Sequence, residues 1–383
     1  MTSIATPLRP AATAAGVAIK HIESIAVSLP MAKPMKMAGA LITAADNVLV
    51  RIETDSGHAG WGEAASAHSM TGETVESMMA AIRHMAPSLV NMDAADIAAV
   101  SRRMDQLMYY NQSAKSAVEM ALHDALGKAL SKPVFELLGR KKRARVPVLW
   151  LLGTGSIDGD IAEARAKQDA GFVAFKVKVG VGDPVDDAAR TRRVCEALGR
   201  GLLICADANQ GYSVDEALAY VKAVEGAGLA FFEQPIAGHD IDGMAKIAAA
   251  TQIPLGIDEG LHGIDDLMQH HARKAARGCS LKTIKLGGLR GVMNAAGLCQ
   301  KLGMQVNLAC KVAESGIAAA AMMHLAAAVP DVAWGVSISN QYLADDLVRD
   351  AIKVVSGHAE VPAGAGLGIE VDEAKVRNYT RKM

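Results

Sequence analysis

The sequence predicts an α/β protein in which a (β/α)8-type barrel is joined to an α+β capping domain. At 383 residues the chain exceeds one average domain, which favours a large unit plus a second one. From about residue 146 onward, eight short apolar strand candidates alternate with helical segments. The charged residues near the ends of the second to sixth candidates are 29, 26, 25 and 27 residues apart. Each interval is about the length of one strand, one helix and two loops. Polar residues at strand ends favour a closed barrel, because barrel active sites are built there.

The strand candidates and the regions around them set the expected domain boundaries. The candidates are VPVLWLLG, VAFKVKVG, LLICADAN, LAFFEQP, IPLGIDE, LKTIKLGG, MQVNLAC and VAWGVSI. Before them, residues 19–66 alternate like strands and residues 71–138 repeat apolar positions at helical spacing. After them the chain is glycine-rich and then strand-like, so we expect it to return to the N-terminal region. We predict a disordered tail at 1–16, an α+β capping domain at 17–140, the barrel catalytic domain at 141–353 and the C-terminal return at 354–383.

The composition is typical of a globular cytoplasmic protein. Hydrophobic residues make up 51% and charged residues 21% of the chain. With 40 basic and 41 acidic residues, the charge gives no reason to expect nucleic acid or a membrane as partner. The five cysteines are scattered without a CxxC pair, which favours reduced thiols over disulfides or a zinc site. We recognise neither a secretory signal nor an apolar segment long enough to span a bilayer, so we expect a cytoplasmic location.

Two lysines end the second strand candidate. Lys176 and Lys178 are two residues apart, so their side chains point to the same face and toward the barrel mouth. Two ammonium groups about 7 Å apart repel by about 2 kcal/mol at an effective dielectric of 20. That repulsion favours the neutral form of Lys178, which a general base needs near neutral pH.

Three carboxylates end the next three candidates, at Asp207, Glu233 and Asp258. At one barrel mouth they would repel one another unless a cation joined them. Ligands that are all oxygen select Mg²⁺ or Mn²⁺ over zinc. Lys285 ends the sixth candidate, so it would face Lys178 across the ring of strands. These residues predict removal of a proton alpha to a substrate carboxylate, with a metal that stabilises the enediolate product.

The ordered set KVKVG, DANQ, EQP, DE and KLGG resembles the enolase superfamily. Within it, the pattern is similar to the muconate lactonizing enzyme subgroup of the mandelate racemase/muconate lactonizing enzyme family, and the resemblance covers almost the whole chain. It implies a modified TIM barrel, Mg²⁺ (or Mn²⁺) as cofactor, and a symmetric homo-oligomer, either a dimer or an octamer. The residues that it implies are the metal ligands Asp207, Glu233 and Asp258, the supporting residues Asn209 and Glu259, the acid/base pair Lys178 and Lys285, and Lys176, which adjusts Lys178 and touches the substrate carboxylate.

The resemblance also indicates where substrate selection occurs. In this family, loops of the capping domain, here about residues 30–39 and 64–72, cover the barrel mouth. Their methionine and alanine content implies a modest, partly apolar ligand. The candidate substrate contacts are Lys36, His68, Trp150 and Glu314.

The eighth strand candidate discriminates among reactions. Dipeptide epimerases of this subgroup carry Asp-x-Asp there and muconate cycloisomerases carry a glutamate, whereas this chain has the segment VSISN, with Ser339 near the glutamate position. Two opposed lysines suit a racemase or epimerase of a small carboxylate such as an N-substituted amino acid. The alternatives are a muconate-type cycloisomerase, which forms a lactone, or a syn-dehydratase. A different class of interpretation is a catalytically inactive barrel that serves as a binding or scaffold protein. Loss of a lysine or metal ligand would indicate it, and none has been lost.

Overall fold

The structure is a computed structural model that describes residues 17–37 and 40–382. The tail predicted at 1–16 lies outside these residues. Within them, no helix combines the length and the apolar character needed to cross a membrane.

The N-terminal region is an antiparallel sheet covered by helices. The strands β1 (Ile19–Met37), β2 (Ala40–Thr54) and β3 (Ala59–Ala65) pair in that order. The helices are α1 (Val75–Leu89), α2 (Ile97–Leu107), α3 (Gln112–Ala129) and α4 (Val134–Leu138). Helix α3 lies directly on β3 because Gly60 and Gly62 have no side chain, and a Cβ at either would overlap a carbonyl oxygen of α3.

Eight parallel strands form the barrel, which confirms the predicted fold class. They are β5 (Leu149–Leu152), β6 (Ala174–Lys178), β7 (Leu203–Asp207), β8 (Phe231–Glu233), β9 (Leu255–Ile257), β10 (Gly278–Leu281), β11 (Gln305–Ala309) and β12 (Val336–Ser337). Each strand pairs with the next along the chain. A parallel bridge between Val148 and Val336 brings the first and last strands together, so the ring is nearly closed.

Helices cover the outside of the ring. They are α5 (Ile157–Asp169), α6 (Pro184–Leu198), α7 (Val214–Val224), α8 (Ile241–Ala249), α9 (Ile264–Ala272), α11 (Leu289–Leu302) and α12 (Gly316–Ala328). The short α10 (Thr283–Leu286) instead packs against α3 of the N-terminal region. Side-chain caps fix where several of them begin, as where Ser213 and Glu216 form a reciprocal capping box at α7. A 3₁₀ turn (Asn340–Tyr342) follows the last barrel strand.

The sixth strand lies earlier in the chain than the sequence predicted. We expected LKTIKLGG to be the strand and Lys285 to end it, and that prediction was wrong. Strand β10 ends at Leu281, and Lys285 lies in α10, which is followed by Gly287 with φ of 72°. The β-branched Thr283 and Ile284 made the helical turn resemble a strand.

The C-terminal segment contacts both parts of the fold. Strands β13 (Val354–Val355) and β14 (His358–Glu360) form a small sheet with β4 (Arg145–Pro147), which immediately precedes the barrel. Helix α13 (Glu373–Tyr379) then leads to β1, where the backbone N–H of Arg381 donates to the carbonyl of Ala26 over 2.8 Å.

Candidate active site

The alternation of side chains along the barrel strands builds the site. The floor of the barrel interior is apolar and consists of Leu149, Ala174, Cys205, Phe231 and Trp334, with the last two rings stacked 4.1 Å apart. Two residues further along three of those strands, the side chains on the same face are charged. They are Lys176, Asp207 and Glu233. The apolar floor therefore carries a ring of charges at the mouth, where barrel active sites lie.

A cavity of about 190 Å³ opens above this floor. Its charged lining consists of the carboxylates Asp207, Glu233, Asp258 and Glu259 and the lysines Lys176, Lys178, Lys282 and Lys311. Residues 66–70, in a loop of the N-terminal region, also line it, so part of the capping domain faces the mouth.

Lys176 and Lys178 lie side by side, and both pair with carboxylates. Lys178 Nζ donates to Asp207 Oδ2 and to Asn209 Oδ1, each over 2.7 Å. Lys176 Nζ donates to Glu233 and lies 3.8 Å from Asp207 Oδ2. Burial alone would lower the pKa of Lys176, but Glu233 and Asp207 raise it overall. The repulsion expected between the ammonium groups of Lys176 and Lys178 is therefore offset by Asp207 on β7 and Glu233 on β8.

The structure brings Lys282, not Lys285, to the cavity. Lys282 directly follows β10 and donates to Asp258 Oδ2 from the cavity wall. Lys285 has no exposed side-chain surface, and its Nζ donates to Asp258 Oδ1 over 2.7 Å and to the Ser280 carbonyl over 2.9 Å. Burial lowers the pKa of Lys285 by more than Asp258 raises it. For Lys282 burial also lowers the pKa, but Asp258 and Glu233 outweigh it and raise it.

Sequence reasoning missed Lys282 because two lysines stand three residues apart in SLKTIKLGG. Either could end a strand, and the choice depended on where β10 stops. The segment GCSL, just before Lys282, was a signal that the strand lies earlier in the chain. It is short and only partly apolar, and it forms β10.

Each of the three predicted metal ligands is paired with at least one lysine. Burial raises the pKa of Glu233, which also accepts the Ser280 hydroxyl over 2.9 Å. For Asp207 and Asp258 the neighbouring lysines outweigh burial and lower the pKa. Residues 17–37 and 40–382 contain no group of three or more His, Cys, Asp or Glu side chains already gathered as a metal site.

The donor atoms nevertheless fit a hard divalent cation. The carboxylates lie at the carboxyl ends of three adjacent strands, where Asp207 pairs in register with Glu233 and β8 pairs with β9. Beside them, Glu259 Oε2 is buried without a hydrogen-bond partner among the described residues, while its Oε1 accepts Asn209 Nδ2 over 3.0 Å. Burial, together with Asp258 and Asp207, raises the pKa of Glu259 to about 8. An excess of buried oxygen donors is what Mg²⁺ or Mn²⁺ requires.

The four predicted substrate contacts have different outcomes. His68 lines the cavity. The side chain of Lys36 lies outside the part of the chain that the structure describes. Trp150 does not line the cavity, and that prediction was wrong: its Nε1 donates to Glu163 over 3.0 Å, on the outside of the barrel. Side chains alternate along β5, so Leu151 faces the cavity instead.

Glu314 also lies behind the cavity wall. Its Oε2 accepts the backbone N–H of Lys311 over 2.9 Å. Ser339 likewise points away, donating to the carbonyls of Lys311 and Glu314, and it is Ser337 that lines the cavity at the end of β12. Sequence reasoning missed Lys311 and Ser337, because neither belongs to a recognisable motif.

A Glu314→Gln variant is expected to change how stability depends on pH. Burial and the nearby Glu63 raise the pKa of Glu314 to about 8 in the folded protein, against about 4.3 for an unfolded chain. The folded state therefore binds more protons between these values, and this stabilisation is present at low pH and lost as pH rises through about 8. Urea denaturation should show wild type losing up to about 1.4 kcal/mol per pH unit relative to the variant in this window. Parallel pH profiles would contradict the expectation.

Comparison with known proteins places the chain among characterised enzymes. Residues 21–139 match the mandelate racemase/muconate lactonizing enzyme N-terminal domain, and residues 160–375 match the enolase C-terminal domain-like family. A chloromuconate cycloisomerase of Cupriavidus pinatubonensis is 32% identical over 93% of this chain and 96% of its own.

Two solved structures are similar over nearly their whole length. The muconate lactonizing enzyme of Pseudomonas fluorescens, complexed with muconolactone, has a TM-score of 0.92 and 31% identity, covering 96% of this chain and 100% of its own. The N-succinyl Arg/Lys racemase of Bacillus cereus has a TM-score of 0.91 and 28% identity, covering 95% and 98%. Both cycloisomerases and racemases are therefore among its relatives.

Proposed function

The chain belongs to the mandelate racemase/muconate lactonizing enzyme family of the enolase superfamily and is an isomerase, and from this premise we propose that it is a Mg²⁺-dependent racemase or epimerase of a small carboxylate. The reaction begins with removal of the proton alpha to that carboxylate. The observation that carries the proposal is the position of Lys178 and Lys282 on opposite sides of one cavity.

The strand order defines that opposition. Lys178 ends β6 and Lys282 follows β10, four strands further around a ring of eight, so the lysines approach a bound substrate from opposite faces. One lysine removes the alpha proton and the other returns a proton to the opposite face, which inverts the carbon. We assign Lys176, which pairs with Glu233, to a carboxylate oxygen of the substrate.

The carboxylates Asp207, Glu233 and Asp258 would hold the cation. A bound Mg²⁺ would supply positive charge against the negative charge that develops on the substrate carboxylate oxygens. Asp258 raises the pKa of Lys282. A cation held by Asp258 would offset this effect and lower the pKa of Lys282, so the residues that hold the cation also set the basicity of the lysine.

A muconate-type cycloisomerase is the second candidate, because cycloisomerases match this chain over nearly its full length. At the end of β12 the cavity is lined by Ser337 and not by the glutamate expected of a muconate cycloisomerase, which weighs against this candidate.

The volume of the cavity, about 190 Å³, is below the roughly 300–1,000 Å³ of pockets for drug-sized ligands. It suits a compact acid better than a long N-acylated amino acid.

Deuterium exchange tests the proposal. Wild-type protein with Mg²⁺ in D₂O should incorporate deuterium alpha to the carboxylate of at least one member of a panel of small N-substituted amino acids, seen by NMR as loss of the proton signal. Removal of the metal with EDTA should slow exchange by about 10²-fold or more, and Mg²⁺ should restore it.

Addition of cis,cis-muconate to this panel separates the two candidates. Loss of optical rotation supports a racemase, and loss of the diene absorbance of cis,cis-muconate supports a cycloisomerase. If no acid in the panel exchanges with Mg²⁺ or Mn²⁺, or if exchange is indifferent to EDTA, the proposed function is wrong.

A further inference from the structure

Lys311 differs from the other lysines of the cavity. Lys176, Lys178 and Lys282 each pair with a carboxylate of the wall. Lys311 also lines the cavity, but among residues 17–37 and 40–382 its Nζ has no carboxylate within 4 Å and no hydrogen-bond acceptor. Burial and the positive charge of Lys282 lower the pKa of Lys311, although Glu314 raises it in part. A cation in this position lacks the anion that its neighbours have.

The turn that carries Lys311 is held firmly. Its backbone N–H donates to Glu314 Oε2 over 2.9 Å, and its carbonyl accepts the Ser339 hydroxyl over 2.8 Å. Two residues later, Ala313 has φ of 79°, a left-handed conformation that disfavours a non-glycine residue. Asn47 of β2 donates to the Ala313 carbonyl over 2.9 Å and holds that conformation. Backbone strain of this kind, maintained by surrounding contacts, is often found at ligand-binding sites.

A second unpaired polar group lies on the adjacent strand. Ser337 Oγ is buried without a hydrogen-bond partner among the described residues, and it lines the same cavity. Ser337 pairs in register with Ala309 at the end of β11, two residues before Lys311. Lys311, just beyond β11, and Ser337, on β12, therefore both line the cavity, and their ammonium and hydroxyl groups have no partner in the part of the chain that the structure describes.

The strand order puts these groups across the mouth from Asp207. In the ring of eight, β11 lies four strands from β7, which carries Asp207. A substrate whose reacting carboxylate lies near Asp207 can therefore extend its far end toward Lys311 and Ser337.

We propose that Lys311, with Ser337, binds a second anionic group of the substrate, a carboxylate at the end remote from the reacting one. This inference rests on the proposed function and narrows its substrate class to dicarboxylates. The bound carboxylate supplies the missing partner of the ammonium group, which is desolvated enough for a charge-assisted hydrogen bond to contribute to specificity. Lys311 is thus a residue of substrate selection rather than of proton transfer.

Matched pairs of inhibitors test the inference. Succinate, glutarate and adipate, and the monomethyl ester of each, are titrated calorimetrically into Mg²⁺-loaded protein. At least one dicarboxylate should bind wild type about 10-fold tighter than its own ester. Lys311→Met should remove this advantage by weakening only the dicarboxylate, and Lys311→Arg should retain part of it. Lys246→Met, at an exposed position outside the cavity, serves as the control.

The outcomes separate the two proposals. Mg²⁺-dependent binding of the esters without any preference for a dicarboxylate overturns the role of Lys311 and leaves the proposed function intact. Equal weakening of acid and ester by Lys311→Met, or loss of deuterium exchange with the binding preference intact, also overturns it. If no probe binds in a Mg²⁺-dependent way, this inference fails, whereas the proposed function is decided separately by the deuterium exchange experiment.

Discussion

Replacing Lys282 with methionine is expected to slow proton exchange from one enantiomer of the substrate by about 10²–10⁴-fold, the usual contribution of a general base. Lys282 lines the cavity opposite Lys178, so it reaches only the alpha proton on its own face. The other enantiomer presents its proton to Lys178 and should still exchange. Racemisation needs both lysines and should be lost. NMR of each enantiomer separately in D₂O with Mg²⁺ measures all three rates.

Lys285→Met is the matched control for this experiment. The substitution is chemically identical and lies three residues away, but Lys285 is fully buried and bonds to Asp258 and to the Ser280 carbonyl. Its loss leaves buried acceptors without a donor and should lower the free energy of unfolding by about 1–3 kcal/mol, while exchange from both enantiomers continues. Loss of exchange in a folded Lys285 variant, with exchange retained in the Lys282 variant, would restore the assignment made from the sequence.

The repeating part of the fold could be predicted from the sequence because it depends on local pattern. The regular intervals between Lys178, Asp207, Glu233 and Asp258 follow from a unit of fixed length, and the fold class they predicted is confirmed. The end of a single strand is less determined, because a shift of a few residues, here from Lys285 to Leu281, changes which side chain faces the mouth. That uncertainty put Lys285 in place of Lys282.

Other site residues depend on tertiary contacts that no local pattern encodes. Trp150 and Leu151 are adjacent, and only the closed ring decides which of them faces inward. Lys311 becomes distinctive only because its neighbours in space have carboxylate partners and it has none among residues 17–37 and 40–382. The turn that positions it is held by Asn47, which is distant in sequence and belongs to the N-terminal sheet.

Two contacts between the N-terminal region and the barrel are of the same kind. In each, a buried carboxylate of the N-terminal region accepts backbone N–H groups at the start of a barrel helix. Glu63 of β3 accepts the backbone N–H groups of Ser315 and Ala318 at α12. Glu119 of α3 accepts those of Leu289 and Arg290 at α11 over 2.7 and 3.1 Å. Helix N-termini leave such N–H groups without partners, and a carboxylate satisfies both the hydrogen bonds and the helix dipole.

Glu119→Ala is therefore expected to lower the free energy of unfolding by roughly 3–5 kcal/mol, measured by urea denaturation. Glu119 is 1% exposed, and its Oε2 lies 3.4 Å from His123 Nδ1. Burial alone would lower the pKa of His123, but Glu119 raises it overall, so the variant loses a favourable electrostatic contact as well as the helix cap. Glu119→Gln keeps an acceptor and should lose less.

The control is Glu196→Ala, which removes a carboxylate that is 63% exposed and 3.8 Å from Arg193. It should change stability by less than about 0.5 kcal/mol, because exposed ion pairs contribute little. Equal losses in the Glu119 and Glu196 variants would mean that the cap at α11 does not hold the two regions together. A large loss specific to Glu119 would mean that it does. Since α11 begins just after Gly288, on the segment that carries Lys282 and Lys285, this contact also fixes the wall of the cavity from outside.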